Sequence, residues 1–254
     1  MKTASILLAL ALLPVWATAN GGTSAAPKKD RPWIIAPMIT SSPAFGNGGG
    51  AVGMYFFKPD KGDTSSPASS ITGMGLYSDT DSYFAGLFAR TFWREDSWRI
   101  NAGTVGVEIN NEFDITGFAD EVRFTTTTAA LFTRIDRRLF GNFFFGAKGI
   151  VVDRQYSDAN AAADSYFLLA DVEDSTTGQL GIIGSYDSRD HVRYPSSGNQ
   201  TELGWMAAPE ALGASTSYHI TEGFSDQFIP LFDNHVLALR LYGRFTPSGT
   251  PYSG

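Results

Sequence analysis

The chain has 254 residues, no cysteine and a formal net charge of −7. Without cysteine it can form neither a disulfide framework nor a cysteine-linked lipid anchor. The acidic balance gives no general attraction for nucleic acid, because phosphate contacts require a basic surface. Mean hydropathy is only −0.09, but alternating strands would hide a membrane-facing surface from such an average.

The first 19 residues predict a cleaved export signal. Lys2 gives a positive start, residues 5–15 are apolar, and Ala17 and Ala19 form a small-x-small cleavage site. The apolar stretch is too short to span a bilayer as a helix, which takes roughly 20 residues. Residues 20–32 predict a flexible polar leader, and residues 33–254 predict a single β domain.

Strands separated by turns account for nearly all of this domain, with almost no helical periodicity. Eleven strands are predicted, near residues 34–40, 48–58, 69–78, 82–93, 97–110, 121–136, 142–157, 176–187, 199–210, 215–229 and 235–246. Several reach ten residues, whereas soluble strands usually have about five or six. Short turns at 94–96 and 140–142 alternate with longer polar loops at 111–120 and 158–175. This asymmetry is typical of outer-membrane barrels.

The strand at 82–93 has the length that a membrane requires. One face carries Tyr83, Leu87 and Trp93, so that its two aromatic ends are ten residues apart. At about 3.3 Å per residue and a tilt near 40°, this distance projects to roughly 25 Å, the height of a lipid-facing band. The opposite face mixes phenylalanines with Arg90.

The strand at 235–246 alternates more strictly. Leu237, Leu239 and Leu241 share one face, while Arg240 and Arg244 share the other. A soluble sandwich would turn the leucines to a core, whereas a membrane barrel would turn them to lipid and the arginines to a polar lumen. The export signal, strand lengths and aromatic ends favour a transmembrane antiparallel β-barrel of the outer-membrane type.

Several charged residues are predicted to face the lumen of such a barrel. They are Arg90, Arg99, Lys148, Glu202, Arg240 and Arg244. Buried charges require partners, so we expect these side chains to pair across strands. One strand departs from the pattern, because Glu108 falls on the face that Trp98 begins. A β-bulge at Gly103 or Gly106 would restore the phase.

Patterns for catalysis or cofactor binding are weak. Gly48, Gly50 and Gly53 fit G-x-G-x-x-G but precede a strand, not the helix that a dinucleotide site needs. The three histidines lack metal-ligand spacing, and the acidic residues at 171–174 lack that of a calcium loop. No G-x-S-x-G or H-E-x-x-H sequence occurs. The sequence therefore predicts no catalytic residue, cofactor or metal.

The most specific motif lies at residues 187–198, which read DSRDHVRYPSSG. The pattern D-S-R-D-H-x-x-x-P-x-x-G resembles the signature turn of the BamA/TamA superfamily of outer-membrane barrels, whose barrel domain is also called bacterial surface antigen. The match is carried by Asp187, Arg189, Asp190, Pro195 and Gly198, and His191 stands where the family often has Asn. Residues 42–46, 236–240 and 249–252 look like further parts of the family pattern.

The resemblance implies a barrel of sixteen strands, of which residues 33–254 would hold about eleven, so that the chain would be C-terminally truncated. It places the 187–198 turn in the periplasm and the loops near 111–120, 158–175 and 211–215 outside. Assembly and secretion members carry POTRA domains before the barrel, and the short leader here looks like a branch without them.

The function implied is that of a non-enzymatic outer-membrane protein in membrane-protein assembly or in protein or lipid transport. Its partners would be outer-membrane lipid and other outer-membrane or periplasmic proteins. Two alternatives stay open. A secreted soluble β-sandwich that binds a ligand would also show alternation and an export signal, and an outer-membrane phospholipase would share the barrel.

Overall fold

The computed structural model describes residues 32–42, 45–118, 120–232 and 235–247. The predicted export signal, nearly all of the leader and residues 248–254 lie outside this range. The strands are β1 (Trp33–Ser42), β2 (Gly46–Phe57), β3 (Ser69–Ser78), β4 (Tyr83–Trp93), β5 (Trp98–Phe113), β6 (Val122–Phe140), β7 (Phe143–Ser157), β8 (Ser175–Asp187), β9 (Gly198–Ala208), β10 (Tyr218–Phe232) and β11 (His235–Phe245).

All eleven strands form one sheet in sequence order, and each pairs antiparallel with the next. The prediction of an all-β, antiparallel chain of eleven strands is therefore confirmed. A β-sandwich needs two packed sheets, whereas the strands in the described part of the chain form a single sheet. The sandwich alternative is wrong for this reason.

The register divides the sheet into two chemically distinct faces. Paired residues share a face, so that Leu87, Thr104, Leu131, Val151 and Gly178 form one row across β4 to β8. We call this side the apolar face, because it carries most of the exposed large hydrophobic residues of the strands. The other side, the charged face, carries most of the charged residues of the strands, among them Arg99, Arg134 and Lys148.

Strand β5 needs no bulge, and the prediction of one at Gly103 or Gly106 is wrong. The pairing of β5 with both neighbours runs without interruption. Glu108 therefore stays on the apolar face, opposite Tyr83, whose hydroxyl donates to the Glu108 carboxylate at 3.2 Å. Glu108 thus lies beside an aromatic residue, at the point where the apolar stretch shared by β4 and β5 ends.

The sheet is strongly curled toward its charged face. Arg193, between β8 and β9, donates a hydrogen bond to the Ala68 carbonyl between β2 and β3. Six strand spacings, about 29 Å in a flat sheet, separate these two connections. Their contact requires the charged face to be concave and the apolar face convex.

The connections lie at two ends of the sheet. The signature-loop end carries residues 58–68, 94–97, 141–142 and 188–197, and the helix end carries 79–82, 114–121, 158–174 and 209–217. The turns at 94–96 and 140–142 are short, as expected. The asymmetry is nevertheless incomplete, because 58–68 and 188–197 are long although they lie at the end with short turns.

The helix end contains the helix α1 (Ala161–Ala170), in a segment that the sequence predicted to be a loop. The Asn160 side chain caps it by accepting from the Ala163 N–H at 2.9 Å, and Asp171 ends it in the left-handed region. Its Tyr166 and Phe167 rings pack on Phe124 of β6. These aromatic contacts hold the helix over the end of the sheet.

Candidate functional site

The signature loop, residues 187–198, is anchored by one carboxylate. Asp187 ends β8 and is 8 % exposed. It accepts from Arg99 Nη1 at 2.6 Å and from Arg189 Nε and Nη2 at 2.8 and 3.0 Å. Two guanidinium groups thus meet on one buried carboxylate, and the loop is tied to β5 as well as to its own strand.

Asp96, in the β4–β5 turn, extends this ion-pair network. Its carboxylate accepts from Arg99 Nε and Nη2 at 2.8 and 2.7 Å and from Arg138 Nη2 at 2.5 Å. Both guanidinium groups also stack on the buried Phe144 ring, with centroid distances of 3.9 Å for Arg99 and 4.8 Å for Arg138. The aromatic surface orients the arginines between the carboxylates.

Asp190 folds the loop onto itself. Its carboxylate accepts from the backbone N–H groups of His191, Ser196 and Ser197 and from the Ser196 hydroxyl. The Ser196 hydroxyl bond, followed by the backbone N–H bonds, holds the pKa of Asp190 well below its ordinary value. The second acidic residue of the motif is therefore a loop organiser that favours its ionised form.

Gly198 explains the last position of the motif. It begins β9 with φ +100°, in the region that favours glycine, and a Cβ there would lie 2.3 Å from the Ser188 carbonyl oxygen. Pro195 lies three residues earlier, where the chain turns back toward β9. Among the residues that carry the resemblance, Asp187 thus anchors the loop, Asp190 organises it, and Gly198 occupies a position that requires glycine.

Ser196, His191 and Asp190 have the composition of a hydrolase triad but not its connections. The serine hydroxyl donates directly to Asp190. His191 Nδ1 instead accepts from the Arg193 and Tyr194 N–H groups at 3.1 and 3.2 Å. A triad needs the histidine between serine and carboxylate. This arrangement supports a structural role for all three residues.

Arg193 connects the signature loop to the β2–β3 region on the opposite side of the concave face. Besides its bond to the Ala68 carbonyl, its guanidinium lies over the Phe56 ring of β2, 4.7 Å from the centroid. The β2–β3 connection is itself held by Asp63, which accepts from Ser66 and from the Glu95 N–H of the β4–β5 turn. The hydroxyl and backbone bonds of Ser66, more than those of Glu95, keep the pKa of Asp63 well below its ordinary value.

A cavity of about 450 Å³ lies beneath these connections. Its lining includes three guanidinium groups and four carboxylates, those of Arg99, Arg138, Arg189, Glu95, Asp96, Asp187 and Asp190. Most of these charges already pair with one another. The cavity is therefore a polar junction without a surplus of positive charge for an anion.

Three ion pairs cross the charged face with a constant spacing of three strands. Arg99 of β5 reaches Asp187 of β8 at 2.6 Å, Arg134 of β6 reaches Glu202 of β9 at 2.7 Å, and Lys148 of β7 reaches Glu222 of β10 at 2.7 Å. Strands three apart are about 14 Å apart in a flat sheet. The curl of the sheet brings these strands close enough for their side chains to meet. We call the three pairs the ion-pair ladder.

Two further residues predicted to face the lumen, Arg240 and Arg244, lie at the edge of the sheet. Arg240 of β11 forms a bidentate pair with Asp226 of β10, with both distances 2.6 Å. Arg244 shares its face in the register of β10 and β11. The structure thus brings Lys148 and Glu202 into the ladder, while Arg240 and Arg244 belong to the last strand. Whether these residues face a lumen stays a prediction.

The sequence did not indicate which partners the ladder would join, because they are 68 to 88 residues apart. The described residues contain no group of His, Cys, Asp or Glu arranged to hold a metal ion. Within the same residues, no helix is long and apolar enough to cross a membrane. Gly48, Gly50 and Gly53 lie inside β2, where Gly50 lets its backbone approach the Gly75 carbonyl.

The chain is similar in fold to a solved structure. The crystal structure of BamA from Haemophilus ducreyi lacking POTRA domains 1–3 aligns with a TM-score of 0.45 and 13% identity, over 88% of this chain and 43% of that chain. The chain thus spans less than half the length of that structure. No protein-family model matches the chain, and no curated protein matches it.

Proposed function

We propose that the chain is a non-enzymatic outer-membrane β-barrel protein that acts in membrane assembly or in transport of protein or lipid. The observation that carries the proposal is that the outer, convex face is apolar and the inner, concave face is charged, the reverse of a soluble protein. The convex face exposes large hydrophobic residues, among them Ile35, Leu131 and Leu203, at 68 %, 59 % and 63 %. The concave face holds the ion-pair ladder. Soluble proteins rarely expose apolar surface this extensive.

The convex face also has the boundaries expected of a lipid-facing band. Tyr77 and Tyr83 pair near the helix end, and Trp93 and Trp98 pair near the signature-loop end. Aromatic residues at both rims are typical of membrane strands. A polar group on this face, formed by Asn199, Thr201, Ser225 and Gln227, is internally hydrogen-bonded, which reduces the cost of lipid contact.

The assembly or transport role rests on the motif resemblance at residues 187–198, and the loop geometry is compatible with it. The phospholipase alternative has less support, because Ser196 and His191 are engaged in loop hydrogen bonds. Export through a cleaved signal at residues 1–19 and membership of the BamA/TamA superfamily belong to the same proposal.

Leu131→Arg tests the membrane placement. Leu131 lies midway along the apolar face of β6, between Thr127 and Arg137. A charge at the bilayer midplane costs about 2–4 kcal/mol, so we expect a lower urea midpoint in lipid vesicles. On a soluble protein, the same exposed substitution would change stability by about 0.5 kcal/mol or less.

Leu139→Arg is the matched control, because Leu139 is also 59 % exposed but lies beyond Arg137 near the end of β6. A charge near the interface costs about 0–1 kcal/mol. Equal effects at the two positions would contradict the proposal. Fractionation gives an independent test: the protein should be found in the outer membrane and migrate on gels in a heat-dependent way, and recovery in the soluble periplasm would refute it.

A further inference from the structure

The ion-pair ladder has a regular geometry. From each basic residue, the sheet register leads across three strands to a position on the charged face: Ile183 for Arg99, Met206 for Arg134 and Ile220 for Lys148. The acidic partner lies two to four residues from that position, toward the signature-loop end. Strand tilt explains the constant direction of this offset.

Arg90 of β4 occupies the next position in the same series. It pairs in register with Asn101, which pairs with Arg134, which in turn pairs with Lys148. The offset seen in the ladder would place its acidic partner at residue 144 or 146 of β7. Those positions hold Phe144 and Gly146. The ladder therefore has a basic residue at β4 without its carboxylate.

The hydrogen bonds of Arg90 agree with this. Its Nε donates to the neutral Asn101 Oδ1 at 2.7 Å, and no carboxylate in the described residues forms an ion pair with it. The side chain is exposed on the concave face. A guanidinium has five N–H donors in a planar fork, so most of its donors remain available to a ligand.

Arg193 supplies a second guanidinium from the signature loop. It lies over Phe56, which pairs in register with Ser70, and Ser70 pairs with Arg90. Backbones two strands apart are separated by about 10 Å, which two long side chains can bridge toward a shared ligand. No carboxylate among the described residues is ion-paired with Arg193.

We infer that Arg90 and Arg193 form a binding site for a phosphate group on the concave side of the sheet, near the signature-loop end. Two guanidinium groups carry a charge of +2, and a phosphate monoester carries about −1.5 to −2 at neutral pH. Arginine is suited to such ligands, because it binds phosphate oxygens in a bidentate manner.

The site does not depend on the membrane proposal, because both arginines lie on the concave face. The phosphate could be free in solution or belong to a lipid headgroup. Calorimetric titration of the full chain at fixed ionic strength separates these sources. One series adds inorganic phosphate, and a second adds a short-chain phosphatidylglycerol to protein in zwitterionic detergent. Saturable binding in either series supports the site and names its source, and absence of binding in both overturns it.

Variants then assign the binding to these two residues. We expect Arg90→Gln and Arg193→Gln each to weaken binding by about tenfold or more, as for the loss of a charged hydrogen bond. Arg154→Gln is the matched control, since Arg154 lies on the same face in β7, and it should change affinity less than about twofold. Equal weakening by all three variants would overturn the site.

Folding of the variants is controlled separately. Arg193 lies in a connection and not in a strand, so that its variant keeps the sheet register. Arg90→Lys retains the charge and should keep part of the affinity that Arg90→Gln loses. If Arg90→Lys and Arg90→Gln bind with wild-type affinity while both unfold at the wild-type urea midpoint, the assignment to Arg90 is wrong.

Discussion

At the signature-loop end of the sheet, carboxylates hold the chain together, and at the helix end aromatic rings do so. Asp187 joins two arginines from β5 and the signature loop. At the other end, several aromatic rings also contact one another without Phe124, so that the packing is shared among Phe113, Phe124, Tyr156, Tyr166 and Phe167. The first arrangement concentrates stability in a few atoms, whereas the second distributes it. Substitutions at the two ends should therefore differ in how much they lower the free energy of unfolding and in how much of the structure they loosen.

Asp187→Ala should have the largest effect. The change leaves Arg99 and Arg189 without the carboxylate that they share, and Arg99 is only 15 % exposed in its side chain. Removal of one member of a buried pair costs about 3–5 kcal/mol, because the remaining charge stays desolvated. We expect the urea midpoint to fall accordingly, with faster proteolysis of residues 188–197.

Phe124→Ala is the counterpart at the helix end. Phe124 is only half-buried, so we expect a smaller loss, of about 1–3 kcal/mol. Proteolysis should then increase at residues 158–174 and not at the signature loop. If Phe124→Ala destabilised the sheet as much as Asp187→Ala and opened both ends, the contrast between concentrated and distributed stability would be wrong.

Gly198→Ala comes next and tests the motif glycine alone. At φ +100°, with a Cβ only 2.3 Å from the Ser188 carbonyl oxygen, alanine would force the loop to shift. A residue held in such a region costs about 1–3 kcal/mol. Gly184→Ala in β8 is the control, because a Cβ there meets no atom within 4 Å. It should change the urea midpoint little, and similar losses at both glycines would remove the special role of Gly198.

The contrast between the ends also explains what the sequence could predict. Strand positions follow from alternation, a local signal, and the charged motif at 187–198 is contiguous. The helix α1 was missed because its sequence, AAADSYFLLA, lacks an apolar stripe. Leu168 and Leu169 are exposed, and it is the neighbouring Tyr166 and Phe167 that contact the sheet.

For the ion-pair ladder, the sequence could predict only that charged residues on the inner face would need partners, not which residues those partners would be. Sequence alternation placed Lys148 and Glu202 on predicted inner faces, but their partners are Glu222 and Arg134. That choice depends on register, tilt and curl acting over three strands, none of which is visible in a single strand. Glu108 shows the converse, since alternation suggested a bulge where the tertiary pairing with Tyr83 makes one unnecessary.

His191 should give the smallest effect, and it depends on pH. Burial, and then the charge of Arg193, hold the pKa of His191 below its ordinary value of 6.5, although Asp190 opposes this and Arg189 adds to it. The neutral ring accepts two backbone N–H groups at Nδ1. Because the folded chain binds the proton less readily than the unfolded chain, this stabilisation is complete above about pH 6.5 and is lost as the pH falls.

Hydrogen exchange at the Arg193 and Tyr194 amides measures this loss locally. Between pH 7.5 and 5, protection in the wild type should fall by an amount equivalent to about 1 kcal/mol, the net value of such hydrogen bonds, after correction for intrinsic exchange. His191→Gln cannot titrate, so its corrected protection should stay constant over the same range. The helix end contains no histidine between 158 and 174, and its protection should not change in either protein. A parallel fall at both ends would show that acid loosens the whole sheet and that His191 does not control the signature loop.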